Sequence, residues 1–103
     1  MLKIINATPN IVTFNNEKES ITYEKSEFLA TVKVSKIIGP EIMGMPTVSL
    51  IYGDVEGLPS VKSGVFYIVS EKVKASSMRS DLIAPNNPIS NDKGQLLVTS
   101  WIY

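Results

Sequence analysis

The residues best suited to hold a small ligand lie close together in the sequence. Arg79 is the only arginine of the chain and stands two residues before Asp81. A guanidinium group can donate two parallel hydrogen bonds to a phosphate or carboxylate. With Ser70 and several other serines nearby, this stretch could bind a small anion. The alternative is that Arg79 stabilises the end of a short helix and pairs with Asp81.

A second candidate for chemistry is the pair of carboxylates at Asp54 and Glu56. In an extended strand, residues two apart project to the same side, as a metal site or an acid/base pair requires. The calcium-binding loops for which such spacing is diagnostic need several more oxygen ligands. We therefore expect a solvated turn and predict no metal site here, although a metal-dependent nucleotide hydrolase is a further possibility.

The residue inventory excludes whole classes of mechanism. The chain has no cysteine and no histidine, which removes disulfides, thiol nucleophiles, Ser-His-Asp triads and the usual zinc sites. We therefore predict no catalytic residues, no enzymatic activity and no cofactor. Lys plus Arg and Asp plus Glu are both 10, so no basic surface indicates general binding to nucleic acid. The missing cysteines and the lack of a long apolar segment predict a cytoplasmic protein without membrane contact.

The elements that must position these residues are mainly short strands. At 103 residues the chain is expected to form one domain, 1–103. Strand patterns flank a polar loop at 15–19, which predicts a hairpin. Ala30, Val32 and Val34 alternate with polar residues, so they are expected to face inward. The run 47–52 also alternates, and the two runs could pair as a long hairpin.

The second half of the chain is predicted to add a central strand and the only helix. Val65–Val69 is apolar throughout, which is typical of a strand covered on both faces. Ser70 is a plausible N-cap for a helix from Glu71 to Met78. The run 95–103 is expected to be a last strand. The predicted fold is mainly β (α+β): a curved antiparallel sheet or small, partly closed barrel of about six to eight short strands with one short helix.

Two further segments have both a structural and a binding interpretation. The segment 39–46 combines two glycines with adaptable methionines. It is either a hairpin tip or a mobile flap or partner surface. Trp101 and Tyr103 are either core residues or anchors of a subunit interface.

Four stretches, taken in order, carry a resemblance to a known group. They are Ile5-Asn6-Ala7-Thr8-Pro9-Asn10, Tyr52-Gly53-Asp54-Val55-Glu56-Gly57-Leu58-Pro59, Gly64-Val65-Phe66-Tyr67-Ile68-Val69-Ser70 and Arg79-Ser80-Asp81-Leu82-Ile83-Ala84-Pro85. The chain resembles small uncharacterised proteins of bacteriophages, prophages and mobile elements, which share N-L-T-P-H, Y-G-x-V-x-G-L-P, Y-I-V-S and R-x-D-L-x-x-P motifs. The chain departs from the first motif at Ala7 and Asn10.

The resemblance implies a phage setting, in the cytoplasm of a host cell. By analogy with that setting, the first hypothesis is a sponge that sequesters a nucleotide-like signal of host defence, with pockets between the chains of a homo-oligomer. Its predicted ligand-binding residues are Ser70, Arg79 and Asp81, with Tyr52 or Tyr67 stacking on a ring. The alternative is an inhibitor or adaptor that docks onto a host or phage protein through an exposed sheet edge or the 39–46 tip.

Overall fold

The computed structural model describes residues 2–103, and these form ten strands and one helix. The strands are β1 (Lys3–Asn6), β2 (Val12–Asn15), β3 (Ser20–Tyr23), β4 (Thr31–Ile38), β5 (Val48–Glu56), β6 (Val65–Ile68), β7 (Leu82–Pro85), β8 (Ile89–Ser90), β9 (Leu96–Val98) and β10 (Trp101–Ile102); the helix is α1 (Glu71–Ala75). The predicted class, mainly β with one short helix, is confirmed. The strands are more numerous than the six to eight expected, and the sheets do not close into a barrel.

The first sheet has the order β1-β6-β7-β10 and holds the predicted central strand. β6 pairs in parallel with both β1 and β7, whereas β7 and β10 are antiparallel. Tyr67 and Ile68 are almost completely buried, as expected for a strand that is apolar at every position. The expected sheet was antiparallel. The two parallel pairs have different causes: β1 joins β6 from a distant part of the chain, whereas the connection through α1 crosses over and brings β7 beside β6 in the same direction.

The second sheet has the order β3-β2-β9-β8. It contains the predicted hairpin, in which Val12 lies opposite Tyr23 and Asn15 lies opposite Ser20. In the loop between them, the side-chain oxygen of Asn16 accepts hydrogen bonds from the backbone amides of residues 18 and 19, both at 2.8 Å. This local bonding explains why the polar loop turns where the sequence indicated.

The predicted last strand is divided between the two sheets. β9 pairs with β2 in the second sheet, whereas β10 pairs with β7 in the first. The chain bends at residues 99–100, so a single run of β composition serves two sheets. Trp101 packs half-buried against the core cluster around Val12 and Val98, whereas the side chain of Tyr103 is largely exposed.

The helix is shorter than predicted. Ser70 has extended dihedral angles and its hydroxyl accepts a hydrogen bond from the amide of Val73 at 3.3 Å, so the N-cap prediction is confirmed. The helix ends at Ala75 rather than Met78. The Ser76 hydroxyl donates to the carbonyl of Lys72, and the Ser77 hydroxyl accepts from the amide of Arg79. The bond to Ser77 occupies the amide of Arg79, which a longer helix would donate to the carbonyl of Ala75, so it favours an early end of the helix.

The third sheet is a long two-stranded ribbon, β4 paired with β5. Its strands pair from Thr31 and Glu56 out to Ile38 and Val48, and Met43 and Gly44, both with positive φ, close the tip. The Cα radius of gyration is 16.4 Å and the longest dimension is 54 Å, whereas a compact chain of this length has a radius of gyration of about 13 Å. The ribbon therefore projects from the body, and we call its outer part, residues 34–52, the arm.

The arm corrects one sequence-based expectation. Ala30 is buried and Val32 is half-buried, as predicted for an inward face, but the side chain of Val34 is 49% exposed. The alternation was identified correctly, whereas the assumption that the body covers the whole apolar face was wrong. The body covers only the base of the ribbon.

Candidate functional site

Three of the five predicted ligand-binding residues lie together at the start of β7. The guanidinium of Arg79 donates two hydrogen bonds to Asp81, from Nε at 2.9 Å and from Nη2 at 2.6 Å. Its central carbon lies 5.7 Å from the ring centroid of Tyr67, which is within the range of a cation–π interaction. Tyr67 also donates its backbone N–H to the carbonyl of Asp81 at 2.8 Å. The cluster therefore ties the loop before β7 to the central strand.

Arg79 and Asp81 neutralise each other's charge. The hydrogen bonds from Arg79 lower the pKa of the Asp81 carboxyl below its ordinary value, against the effect of burial, which raises it. The same hydrogen bonds raise the pKa of the Arg79 guanidinium. Both shifts favour the charged forms. The carboxylate is 6% exposed and the arginine side chain is 23% exposed, so each charge is neutralised mainly by the other.

Ser70 belongs to a different site, a largely apolar cavity of about 230 Å³. Its lining residues are Thr8, Pro9, Asn10, Ser70, Glu71, Pro85, Pro88 and Leu96. Three of the four stretches quoted above therefore meet here. The lining includes one acidic residue and no lysine or arginine, so its chemistry suits an apolar side chain better than a phosphate.

One wall of this cavity is held by a buried amide. Asn6 is 2% exposed. Its Nδ2 donates to the carbonyls of Asn10 and Tyr23 at 2.7 and 2.9 Å, and its Oδ1 accepts from the amide of Thr8 at 3.0 Å. Asn6 thereby fixes the Thr8–Asn10 turn that lines the cavity. In the sequence this segment stands out only through the resemblance to phage proteins, and nothing in it predicts this role.

Tyr52 lies away from the other four predicted residues. It pairs with Val34 on the arm and is 41% exposed. Within residues 2–103 it makes no side-chain hydrogen bond or ring contact with Ser70, Tyr67, Arg79 or Asp81. The structure therefore separates the predicted set into the ion-pair cluster, the cavity and the arm.

The carboxylates at Asp54 and Glu56 do not form a site. Between Val32 and Val34 the pairing register slips, so that Gly53 and Asp54 lie opposite Lys33 as a β-bulge. The Glu56 carboxylate lies 3.6 Å from the Lys33 ammonium, and both side chains are well exposed. Within residues 2–103 no three acidic, histidine or cysteine side chains are grouped so that they could hold a metal ion.

The arm carries the most unusual surface of the molecule. Residues that alternate along a strand share a face, and paired residues of antiparallel strands share it as well. The face that holds Val32 and Val55 therefore continues outward through three cross-strand pairs. These are Val34 with Tyr52, Lys36 with Leu50 and Ile38 with Val48. We call these six residues the apolar face of the arm.

The side chains of this face change from half-buried to exposed within two residues along β4. Val32 and Val55 are half-buried and pack against the core cluster around Tyr67. Beyond them, the five apolar residues of the apolar face are between 41% and 88% exposed. The opposite side of the ribbon also exposes Ile37 and Ile51, and Met43 at the tip is 92% exposed. From the sequence we expect a partner surface at an exposed sheet edge or at the 39–46 tip, but not on a face of the ribbon.

A wider, open groove of about 500 Å³ runs between β1 and the segment from β3 to Phe28. Its lining includes Lys3 and Lys25 together with Glu24 and Glu27, so positive and negative side chains are equal in number. The groove has no concentration of one charge that would select an ionic ligand.

The chain has no match among protein families, curated proteins or solved structures. The resemblance to phage proteins therefore stays a prediction. Within residues 2–103, no helix has the length and apolar character needed to cross a membrane.

Proposed function

We propose that this protein is a non-catalytic binding protein, which acts as an inhibitor or adaptor by docking its arm onto another protein. The observation that carries the proposal is that Val32 and Val34 lie on one continuous apolar face of the ribbon. A face that serves as core at Val32 extends outward as exposed apolar surface for the length of the arm. Large contiguous apolar surfaces on soluble proteins are typical of interaction sites.

The arm offers three modes of contact to a protein. Its apolar face presents β-branched, leucine and tyrosine side chains, which suit a desolvated interface core. Its two outer edges present unpaired backbone groups, which can accept an added strand. The methionines at the tip, Met43 and Met45, are flexible and can adapt to an irregular surface.

The sponge hypothesis has less support from the geometry. The carboxylate of Asp81 already accepts both hydrogen bonds that Arg79 donates. A phosphate would therefore have to compete with a buried carboxylate for the Nε and Nη2 donors of the guanidinium. The cavity beside Ser70 has no basic residue in its lining. Sequestration of a nucleotide therefore remains a second prediction.

Site-specific photo-crosslinking in the cells that naturally contain the protein tests the proposal. A photoreactive amino acid replaces Ile38 on the arm or, as the matched control, Ile89 on β8, since both are largely exposed isoleucines at strand positions. We expect Ile38 to give a discrete adduct with one protein of the host or phage and Ile89 to give none. The double substitution Ile38→Ser and Val48→Ser should abolish partner capture.

Equal crosslinking from Ile38 and Ile89, or no adduct from any position of the arm, would overturn the proposal. Retained partner capture by the double variant, with an unchanged circular dichroism spectrum, would do the same. The two substituted residues lie directly opposite each other at the outer end of the ribbon and are 88% and 57% exposed. Their replacement should therefore leave the body folded.

A further inference from the structure

The hydrogen-bond pattern of the ribbon defines which backbone groups are free at its edges. The amide of Gly39 donates to the carbonyl of Thr47 at 2.9 Å. In antiparallel strands, hydrogen-bonded and non-hydrogen-bonded pairs alternate, so the pairs of residues 37 with 49 and 35 with 51 are bonded in the same way. Val48, Leu50 and Tyr52 lie in the pairs between them. Their N–H and C=O groups therefore point away from β4, along the outer edge of β5.

The two edges of the arm differ in how well they are protected. The corresponding outward residues of β4 are Val34, Lys36 and Ile38, with a lysine at the centre. If two β4 strands paired about their centres, the two Lys36 side chains would lie directly opposite each other, and like charges in that position are destabilising. From Val48 to Gly53, β5 has no charged residue and no proline. Natural proteins normally protect edge strands with such residues.

We propose that the β5 edge binds the β5 edge of a second copy of this chain, related by a two-fold axis at Leu50. This inference rests on the proposed function, because it describes how the docking surface is built. The two β5 strands run antiparallel, with Leu50 opposite its own copy and Val48 opposite Tyr52 of the other chain. Each of these pairs exchanges two backbone hydrogen bonds. The result is a continuous sheet in the order β4-β5-β5-β4.

The register follows from the sequence of the edge itself. A two-fold axis perpendicular to the sheet keeps each face on its own side, so only residues of the same face can lie opposite each other. Centring on Leu50 matches all three outward residues of one strand with those of the other. A centre at residue 49 would bring Pro46, which has no N–H, opposite Tyr52. The Leu50 register also creates favourable pairs of a β-branched residue with an aromatic one.

A second copy is the occupant that the structure favours. A two-stranded ribbon is marginally stable in water, whereas three or more strands with an apolar face are stable. The paired arms meet that condition without any other molecule, and the two apolar faces then lie side by side as one surface for the partner protein.

The test uses the purified full-length chain alone, so that it is independent of any partner protein. Sedimentation velocity from about 1 to about 100 µM covers the range of a micromolar Kd. We expect a species of twice the 11.3 kDa chain mass at the upper end. Leu50→Pro removes an outward N–H and leaves the bonds of β5 to β4 intact, so this variant should stay monomeric. Lys36→Pro is the matched control on the other edge and should still dimerise.

Cysteine crosslinking tests the register, since the chain has no cysteine of its own. Cα atoms of a hydrogen-bonded antiparallel pair are about 5.5 Å apart, which suits a disulfide. Under mild oxidation Leu50→Cys should form a covalent dimer, and Lys36→Cys should not. A chain that stays monomeric at the highest concentration, or equal crosslinking of the two variants, would overturn the inference. Photo-crosslinking from Ile38 to another protein could still succeed, so failure of the dimer and failure of the proposed function are distinguishable.

Discussion

Val32 and Val34 lie two residues apart on the same face of β4, yet the first packs against the body and the second is 49% exposed. The body therefore ends between them. We expect Val32→Ala to lower the free energy of unfolding by about 1 to 2 kcal/mol, because it removes packing from a half-buried site. Val34→Ala should change it by less than about 0.5 kcal/mol in dilute solution. Urea denaturation of the two variants measures the difference, and equal losses would contradict the boundary.

Arg79→Ala should destabilise the fold by about 2 to 4 kcal/mol, because it leaves the carboxylate of Asp81 buried without its cation. The replacement also removes the cation–π contact with Tyr67. Thermal or chemical denaturation gives the value, with the exposed Lys62→Ala as the control for loss of a positive charge. A loss as small as that of the control would show that the pair contributes little to stability.

The ion pair also predicts an acid limit of stability. The pKa of Asp81 is lower in the folded protein than in the unfolded chain, so its contribution is complete above the unfolded pKa, near 4. That contribution is lost as the pH falls from there through the lower pKa of the folded state. The raised pKa of Arg79 affects stability only at strongly alkaline pH. Between pH 5 and pH 2, Asp81→Asn should therefore lose less stability than the wild type, and parallel pH curves would argue against this effect.

The sponge hypothesis makes its own prediction at Arg79. If the protein sequesters a nucleotide, isothermal titration with cyclic dinucleotides or ADP-ribose derivatives will detect binding. The same titration of Arg79→Lys, which keeps the charge and loses the planar fork, should show at least about tenfold weaker binding. No heat with any of these compounds would count against the hypothesis. Equal binding by the lysine variant would move the site away from Arg79.

Gly57 lies at the base of the ribbon, and Gly94 serves as the control for a test of its close backbone contact. Both have positive φ, but a Cβ at Gly57 would overlap the backbone carbonyl of Leu29, whereas one at Gly94 would meet open space. Gly94→Ala should cost about 1 kcal/mol, from backbone conformation alone. Gly57→Ala should cost at least about 3 kcal/mol, because the chain entering β4 must also shift. Denaturation curves of the two variants decide this, and similar costs would show that the contact is relieved easily.

The parts of the fold that local patterns predict are those whose causes are local. The central strand at 65–69, the N-cap at Ser70 and the hairpin at 15–19 follow from runs of side chains and from turn chemistry within a few residues. The early end of the helix at Ala75 was not predicted, because competition from serine hydroxyls depends on geometry that composition does not specify.

The distant relationships were not predictable in the same way. An alternating strand shows that one face is apolar, but the pattern at 30–34 is the same whether the body, solvent or another chain covers that face. Residues 3–6 pair with residues 65–68, but no sequence pattern in either segment indicates this pairing. The sequence left two interpretations of Arg79 open, and the structure shows the pairing with Asp81 that one of them contains. The burial of Asn6 had no local signal in the sequence at all.

The sheet order has a consequence for the order of events during synthesis. β4 and β5 are neighbours along the chain, so the ribbon can close on the microsecond timescale of a hairpin as soon as residue 56 has left the ribosome. The first sheet needs Lys3 to meet Val65 and Pro85 to meet Trp101, and such distant contacts form slowly. The arm can therefore form, as a marginally stable ribbon, while the rest of the chain is still being made. If the β5 edges pair as we propose, two nascent chains on one messenger RNA can join through them before either body has folded.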